Sequence, residues 1–227
     1  MKRNITLDEI SDGRLYGSED MAKLGCNECL GCSACCRDMG RSIILDPMDI
    51  FLLCKNLHKT FEMLLSGPVE LNVVDGIILP NLKMLDDTSS CAFLNSEGRC
   101  SVHDFRPGIC RLFPLGRYYE DKDFKYFLQT YECKKENRTK VKIKKWLQIP
   151  DLKTYERYIC DWHGYLMDME AVIEKNKDET FIKKMDIFIL ELFYLTPYDY
   201  NQDFYGQFNL RLKTARQRCL ANTHASE

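Results

Sequence analysis

Cys26-Asn27-Glu28-Cys29-Leu30-Gly31-Cys32-Ser33-Ala34-Cys35-Cys36-Arg37 decides how this chain is read, because five of its twelve cysteines fall within this one short stretch. Cys91, Cys100 and Cys110 form a second block, and Cys133 follows them. Thiols at two-residue gaps have metal-ligand spacing, since a tight turn between them lets both sulfurs converge on one ion or cluster. A regular helix through the first block is disfavoured by Gly25 and Gly31. Geometry agrees: steps of three residues turn by about 300° each, which would spread Cys26, Cys29, Cys32 and Cys35 over half of a helical cylinder. The block reads as a coiled knuckle wrapped around metal.

The competing reading is a disulfide framework, which belongs to small secreted domains and calls for an export signal. The N-terminus is charged but meets Asp8 and Glu9 before any apolar stretch develops. No run approaches the roughly 18 apolar residues of a membrane span, and even Phe181 to Leu195 carries Lys183, Lys184, Asp186 and Glu191. The expectation is a cytoplasmic protein whose thiols stay reduced. With 227 residues and 45% hydrophobic content the chain can bury a core without metal, and a net charge of −2 argues against a dominant nucleic-acid field.

Outward from the cysteines, the pattern predicts an α+β fold. Ser42-Ile43-Ile44-Leu45 reads as a short strand, and Asp46-Pro47 supplies a cap and first turn for a helix through Ile50, Leu53, Cys54 and Leu57. Thr60 caps a second short helix, Phe61 to Leu65. Asp75-Gly76 between Leu71–Val74 and Ile77–Leu79 is a hairpin signal. Asp104 to Pro107 opens a short helix carrying Cys110, which Pro114 ends. Tyr118 to Tyr131 alternates aromatics and charges without a firm period, and its rings read as core rather than as a stacking platform. From Asp151, apolar residues recur at alternating steps of three and four, in three successive helices. These expectations place a cysteine-cluster metal-binding domain with a small antiparallel sheet at residues 1–150 and a three-helix C-terminal cap at 151–227.

Cys26-x2-Cys29-x2-Cys32-x3-Cys36 reproduces the bacterial ferredoxin run, although Arg37 stands where proline would follow. A second register uses Cys29, Cys32, Cys35 and Cys36. Cys91, Cys100, Cys110 and Cys133 make another set of four, so two four-sulfur sites are conceivable from the count. The spacing favours an iron–sulfur cluster, 4Fe-4S by its pattern, over zinc, whose tetrahedral preference four thiolates would also satisfy. The radical arrangement is not completed, because Met39 stands where the next cysteine would fall. Thiolates and cluster need compensating charge, and Arg37, Arg106 and Arg111 are the candidates beside the ligands, with Arg99 near them.

These residues resemble the zinc- or iron-chelating cysteine-cluster family, the CxxCxxCC or YkgJ-type proteins of bacteria and archaea. Cys29-Leu-Gly-Cys32-Ser-Ala-Cys35-Cys36-Arg37 looks like its signature. Cys91-Ala-Phe-Leu-Asn95, Gly98-Arg-Cys100-Ser-Val-His103 and Arg106-Pro-Gly-Ile-Cys110-Arg-Leu-Phe-Pro114 look like its second block. Cys133 stands at the family's last cysteine, whereas Cys26 lies outside the pattern. The resemblance implies metal chelation. A related cysteine arrangement occurs in flagellin lysine N-methylases, so methyl transfer from adenosylmethionine is implied by analogy alone, beside the redox chemistry expected of an iron–sulfur cluster. This chain is shorter than those enzymes and has no glycine-rich loop for such a cofactor. The expected partners are the metal cluster and a protein substrate or redox partner, with neither a membrane nor nucleic acid among them.

Other residues carry weaker signals. His103 is read as a polar residue opening a turn, and Cys160 and His163 as flanking a core stripe. Cys54 and Cys219 are read as small core residues on apolar helical faces. The lysines of 134–145 read as a solvated edge protecting a strand on which Val141, Ile143 and Trp146 point inward.

Overall fold

The computed structural model describes residues 6–26, 32–121, 123–176 and 178–224, with side chains described as far as residue 218. The fold is α+β: small antiparallel sheets in the cysteine region, long helices at the C-terminal end. In chain order the elements are α1 (Leu7–Ile10), β1 (Ser11–Tyr16), β2 (Met21–Gly25), α2 (Pro47–Leu57), α3 (Phe61–Leu65), β3 (Val69–Val74) and β4 (Ile77–Leu82). Then come α4 (Gly108–Leu112), β5 (Leu115–Glu120), β6 (Asp123–Gln129), β7 (Thr139–Lys142), α5 (Ile143–Leu147), α6 (Leu152–Lys175), α7 (Glu179–Leu190) and α8 (Phe204–His224).

Local chemistry explains the elements that position the cysteines. Asp46 accepts a hydrogen bond from Asp49 N at 2.9 Å while Asp49 accepts one from Asp46 N at 3.1 Å, closing a capping box ahead of Pro47. Thr60 caps α3 in the expected way, accepting from Met63 N at 3.3 Å. At Asp75 and Gly76 φ is +50° and +86°, so the backbone takes the primed turn that suits the twist of a hairpin, and β3 pairs with β4 from Val69↔Leu82 to Val74↔Ile77.

Ser42 to Leu45 does not become a strand. Ile44 makes one bridge to Asn81, flanked by Leu45 N to Pro80 O at 2.8 Å and Leu82 N to Ile43 O at 2.9 Å. The next rung would need an amide from Pro80, which has none, so the ladder stops. The unused Leu45 carbonyl instead accepts the Tyr194 hydroxyl at 3.1 Å.

Two pairings escape the sequence reading. Residues 11–25 form β1 and β2, which pair with β6 and β7 respectively, so the leader is stitched to the middle of the chain. Residues 115–129, which overlap the stretch from Tyr118 to Tyr131 that shows no firm period, form the hairpin β5–β6, turning at Asp121 with φ +51°. Alternation is blurred there because Tyr126, Phe127 and Leu128 are buried in succession and Arg117 is drawn partly inward. Phe124 is buried as well, Tyr119 is half-buried, and Tyr118, Glu120, Asp123, Lys125 and the following Tyr131 are exposed.

The helices carry the larger share of buried aromatics. On α6, Tyr155, Tyr158, Ile159, Trp162, Tyr165 and Met169 are buried. Between α7 and α8 a widened turn at Glu191–Leu195 buries Phe193 and Tyr194. The core does not stop near Pro150. Phe51 on α2 packs on Phe204 of α8 with centroids 5.1 Å apart, and Tyr158 Oη accepts Met48 N at 3.0 Å, so one hydrophobic cluster runs from Ala22 to Ala215.

Candidate metal centre

The cysteine blocks are brought together by backbone pairing. Ala34–Cys36 makes a single 3-10 turn, closed by Cys36 N to Ser33 O at 2.9 Å, and the chain then runs antiparallel to Ser89–Cys91. The rungs are Asp38 N to Ser89 O and Cys91 N to Cys36 O, each 2.8 Å, on either side of the Arg37↔Ser90 bridge. Beyond Cys91 the chain folds back on itself at Leu94↔Cys100. The tip of that fold is set by Asn95, whose Oδ1 accepts Arg99 N at 2.8 Å and Glu97 N at 3.1 Å, and by Gly98 at φ +71°. Cys110 rides on α4, whose end is tied down where Trp146 Nε1 donates to Phe113 O at 3.1 Å.

Cys26, Cys32, Cys35, Cys36, Cys91, Cys100, Cys110 and Cys133 all line one cavity of about 670 Å³. Cys29, the remaining candidate ligand, lies outside the described residues. None of the ten described cysteines is in a disulfide. Cys54 is buried in the core and Cys160 sits on α6; neither lines the cavity, and the side chain of Cys219 lies outside those described.

Four of the thiols are electrostatic neighbours of one another. Burial raises the pKa of Cys110 well above the ordinary thiol value, and Asp49, Cys91, Cys100 and Cys35 add to it. Burial likewise raises Cys91 and Cys100, with Cys35 contributing to both, while Arg106 pulls Cys100 back. Cys35 is raised first by its hydrogen bond with Cys36, then by burial. Cys35, Cys91, Cys100 and Cys110 therefore surround a common volume. They do not meet at a point: among the described residues no three His, Cys, Asp or Glu side chains are close enough to hold a single ion.

The arginines divide by role. Arg106 lines the cavity, contacts His103 Nε2 through Nη1, and keeps its Nε buried without a partner. His103 also lines the cavity. Its pKa is lowered by burial and then by Arg106 and Arg99, which favours the neutral ring that can accept from a guanidinium. Arg111 does not line the cavity; its guanidinium binds the carbonyls of Arg106, at 3.2 Å, and Asp104, holding the loop ahead of α4. Arg37 is exposed and reaches Ser33 Oγ at 3.4 Å. Lys142 and Lys144 flank Glu19 at 3.4 and 2.7 Å, while Lys145 lies on the cavity wall. Cys160 and His163 are remote from the cavity, His163 stacking on Tyr119 with centroids 3.6 Å apart.

A layer behind the thiols was not foreseen from the sequence. Asp49, 3% exposed, accepts Gly108 N at 2.7 Å across 59 residues of chain. Tyr155 Oη fills the space where a Cβ on Gly108 would stand, and Arg117 Nη2 donates to that hydroxyl at 3.2 Å. Burial, then the neighbouring Asp46 charge, raises the Asp49 pKa. The Asp46-x2-Asp49 capping pattern and the glycine ahead of Cys110 were the signals available.

Residues 28–141, half of the chain, match the model of the CxxCxxCC family, described as "Putative zinc- or iron-chelating domain". The chain belongs to this family. The CxxCxxCC span takes in every cavity-lining cysteine except Cys26 and ends inside β7. No curated protein and no solved structure matches the chain significantly. No helix among the described residues is long and apolar enough to cross a membrane. The donor chemistry fits chelation: eight thiols and the thioethers of Met39 and Met84 face one cavity, a soft set suited to iron–sulfur clusters or zinc.

Proposed function

We propose that this chain is a cytoplasmic iron–sulfur protein, its cavity thiols holding one or two clusters of 4Fe-4S type, acting in redox chemistry. The observation that carries the reading is the number of thiols around a single large space. A zinc site gathers four sulfurs to about 2.3 Å from one ion. Here eight thiols surround about 670 Å³, and no described triad closes on one ion. A space of that size suits an inorganic cluster with room beside it, and lies within the range of small-molecule pockets.

Cys35, Cys91, Cys100 and Cys110 are the first four ligands by mutual proximity, with Cys26, Cys32, Cys36 and Cys133 on the same wall and Cys29 beside them in sequence. A bound cluster supplies one-electron chemistry. The protein's own groups set its surroundings. Arg106 offers a buried, unpartnered N–H where negative charge gathers, and Phe93, Phe113 and Trp146 keep the wall apolar. Methyl transfer to a protein substrate rests on the likeness to flagellin lysine N-methylases alone.

Zinc is the second reading, since the family's description names zinc as well as iron and four thiolates satisfy its tetrahedral preference. It would make the chain a metal-stabilised interaction module. Purification without oxygen separates the two. Iron with matching acid-labile sulfide and a brown protein is the expected result; colourless protein carrying zinc overturns it.

A further inference from the structure

We propose that Asp49 is a positioning residue for the metal ligand Cys110, an inference that rests on the reading that the cavity thiols hold metal. Cys110 lies on a helix of only five residues, Gly108–Leu112. So short a helix has almost no stability of its own, because nucleation is unfavourable and few internal hydrogen bonds follow it. Its orientation, and with it the place of the Cys110 sulfur, is set from outside.

Asp49 does this through its two oxygens. Oδ1 accepts Gly108 N at 2.7 Å, a first-turn amide with no partner inside the helix, and Oδ2 accepts Asp46 N at 3.1 Å. The carboxylate thus joins the start of α4 to the start of α2, and α2 is anchored in the core by Ile50, Phe51 and Leu53. Residues two apart on a helix point about 200° away from each other. Tyr155, at the Cβ position of Gly108, therefore sets the roll of α4 from the side away from Cys110, while Asp49 holds the first amide at the helix end; the Cys110 thiol lines the cavity. Metal–sulfur bonds tolerate deviations of only about 0.2 Å. A small roll of α4 would carry the thiol out of range.

The alternative is that Asp49 supports only the general fold. Tyr158 provides the comparison: its hydroxyl accepts Met48 N at 3.0 Å in the same buried corner, with no hydrogen bond to α4. Wild-type protein, Asp49→Ala, Asp49→Asn and Tyr158→Phe are purified anaerobically as full chains. Each is assayed for metal retained against a chelator, for the visible circular dichroism of the centre, and for Tm. Asp49→Ala is expected to weaken metal retention by about tenfold or more, the range for a group that orients a ligand, and to change the dichroism of what remains. Asp49→Asn, which keeps one acceptor for Gly108 N, falls between it and wild type. Tyr158→Phe lowers Tm and leaves retention and dichroism as in wild type.

Equal retention and equal spectra in Asp49→Ala and Tyr158→Phe overturn the proposal. If Asp49→Ala does not fold, an unchanged spectrum in Asp49→Asn overturns it instead. Wild-type protein that carries zinc is loaded with cobalt to give the spectrum, so the inference is judged separately from the choice of metal. Wild-type protein with no metal at all overturns both this inference and the reading beneath it.

Discussion

α4 and α6 solve the same problem in opposite ways. α6 runs for 24 residues and buries its own stripe of aromatics, with Trp162 against Phe193 at 4.9 Å and Tyr158 against Phe208 at 4.6 Å. α4 has five residues, two of them buried, and is held by groups from α2, α6 and the segment carrying Trp146. Long helices are stabilised by what they bury; the ligand-bearing helix is stabilised by what surrounds it. The cysteine region should therefore depend on metal, and the helical region should not.

The largest effect expected from this contrast comes from removing the metal. Stripping by a strong chelator under reducing conditions should abolish amide-exchange protection over residues 91–113 while leaving the interiors of α6 and α8 protected. Uniform loss along the chain would show that the two regions unfold as one. Phe208→Ala tests the other side: Phe208 is fully buried, so its truncation should cost about 3–5 kcal/mol in chemical denaturation and leave metal per chain unchanged. Cys32→Ala and Cys110→Ala should release metal, whereas Cys54→Ala, buried away from the cavity, should retain the wild-type content in elemental analysis.

A smaller effect is a pH dependence of opposite sign in the two forms. Burial raises Cys91, Cys100 and Cys110 above the ordinary thiol value of 9.0, so the metal-free fold holds protons that the unfolded chain has already lost as pH climbs through that value. Its stability from these groups is present below the unfolded pKa and is lost as pH rises through the folded ones. Metal binding needs thiolates and expels those protons, so apparent affinity should rise with pH throughout the range below the folded values, from neutral pH upward. Chelator competition between neutral pH and about pH 9 reads the second trend, and thermal melts of apoprotein the first. The smallest effect expected is that of Glu19→Ala, which breaks only exposed pairs with Lys142 and Lys144 and should leave Tm and metal content as they are.

Much of this was legible in the residues, for local reasons. The capping chemistry of Asp46-Pro47 and Thr60, the turn at Asp75-Gly76 and the apolar periods after Asp151 each act over a few residues, and each produced the element expected. Eight of the nine thiols singled out in the sequence line one cavity, Cys29 lying outside the described residues; the short gaps of the first block are a local pattern, and the second block was singled out by its resemblance to the family. What could not be read was pairing at a distance. β1 finds β6 more than a hundred residues on, and nothing within residues 11–16 announces it. Asp49 carried no signal of its own: one oxygen closes the capping box with Asp46, and the other is taken by an amide that only the tertiary fold brings near. Arg106 and Arg111 looked equivalent beside Cys110; one faces the cavity and the other turns away to bind carbonyls, a difference set by the turn between them.

Pro80 couples distant parts of the chain. By withholding an amide it leaves Leu45 with a carbonyl that the hairpin cannot use, and the phenol of Tyr194 answers that vacancy from the far end of the chain. Without the Tyr194 hydroxyl this oxygen would be left to water. Position 80 thus makes the backbone of the cysteine region depend on a side chain of the C-terminal helical region.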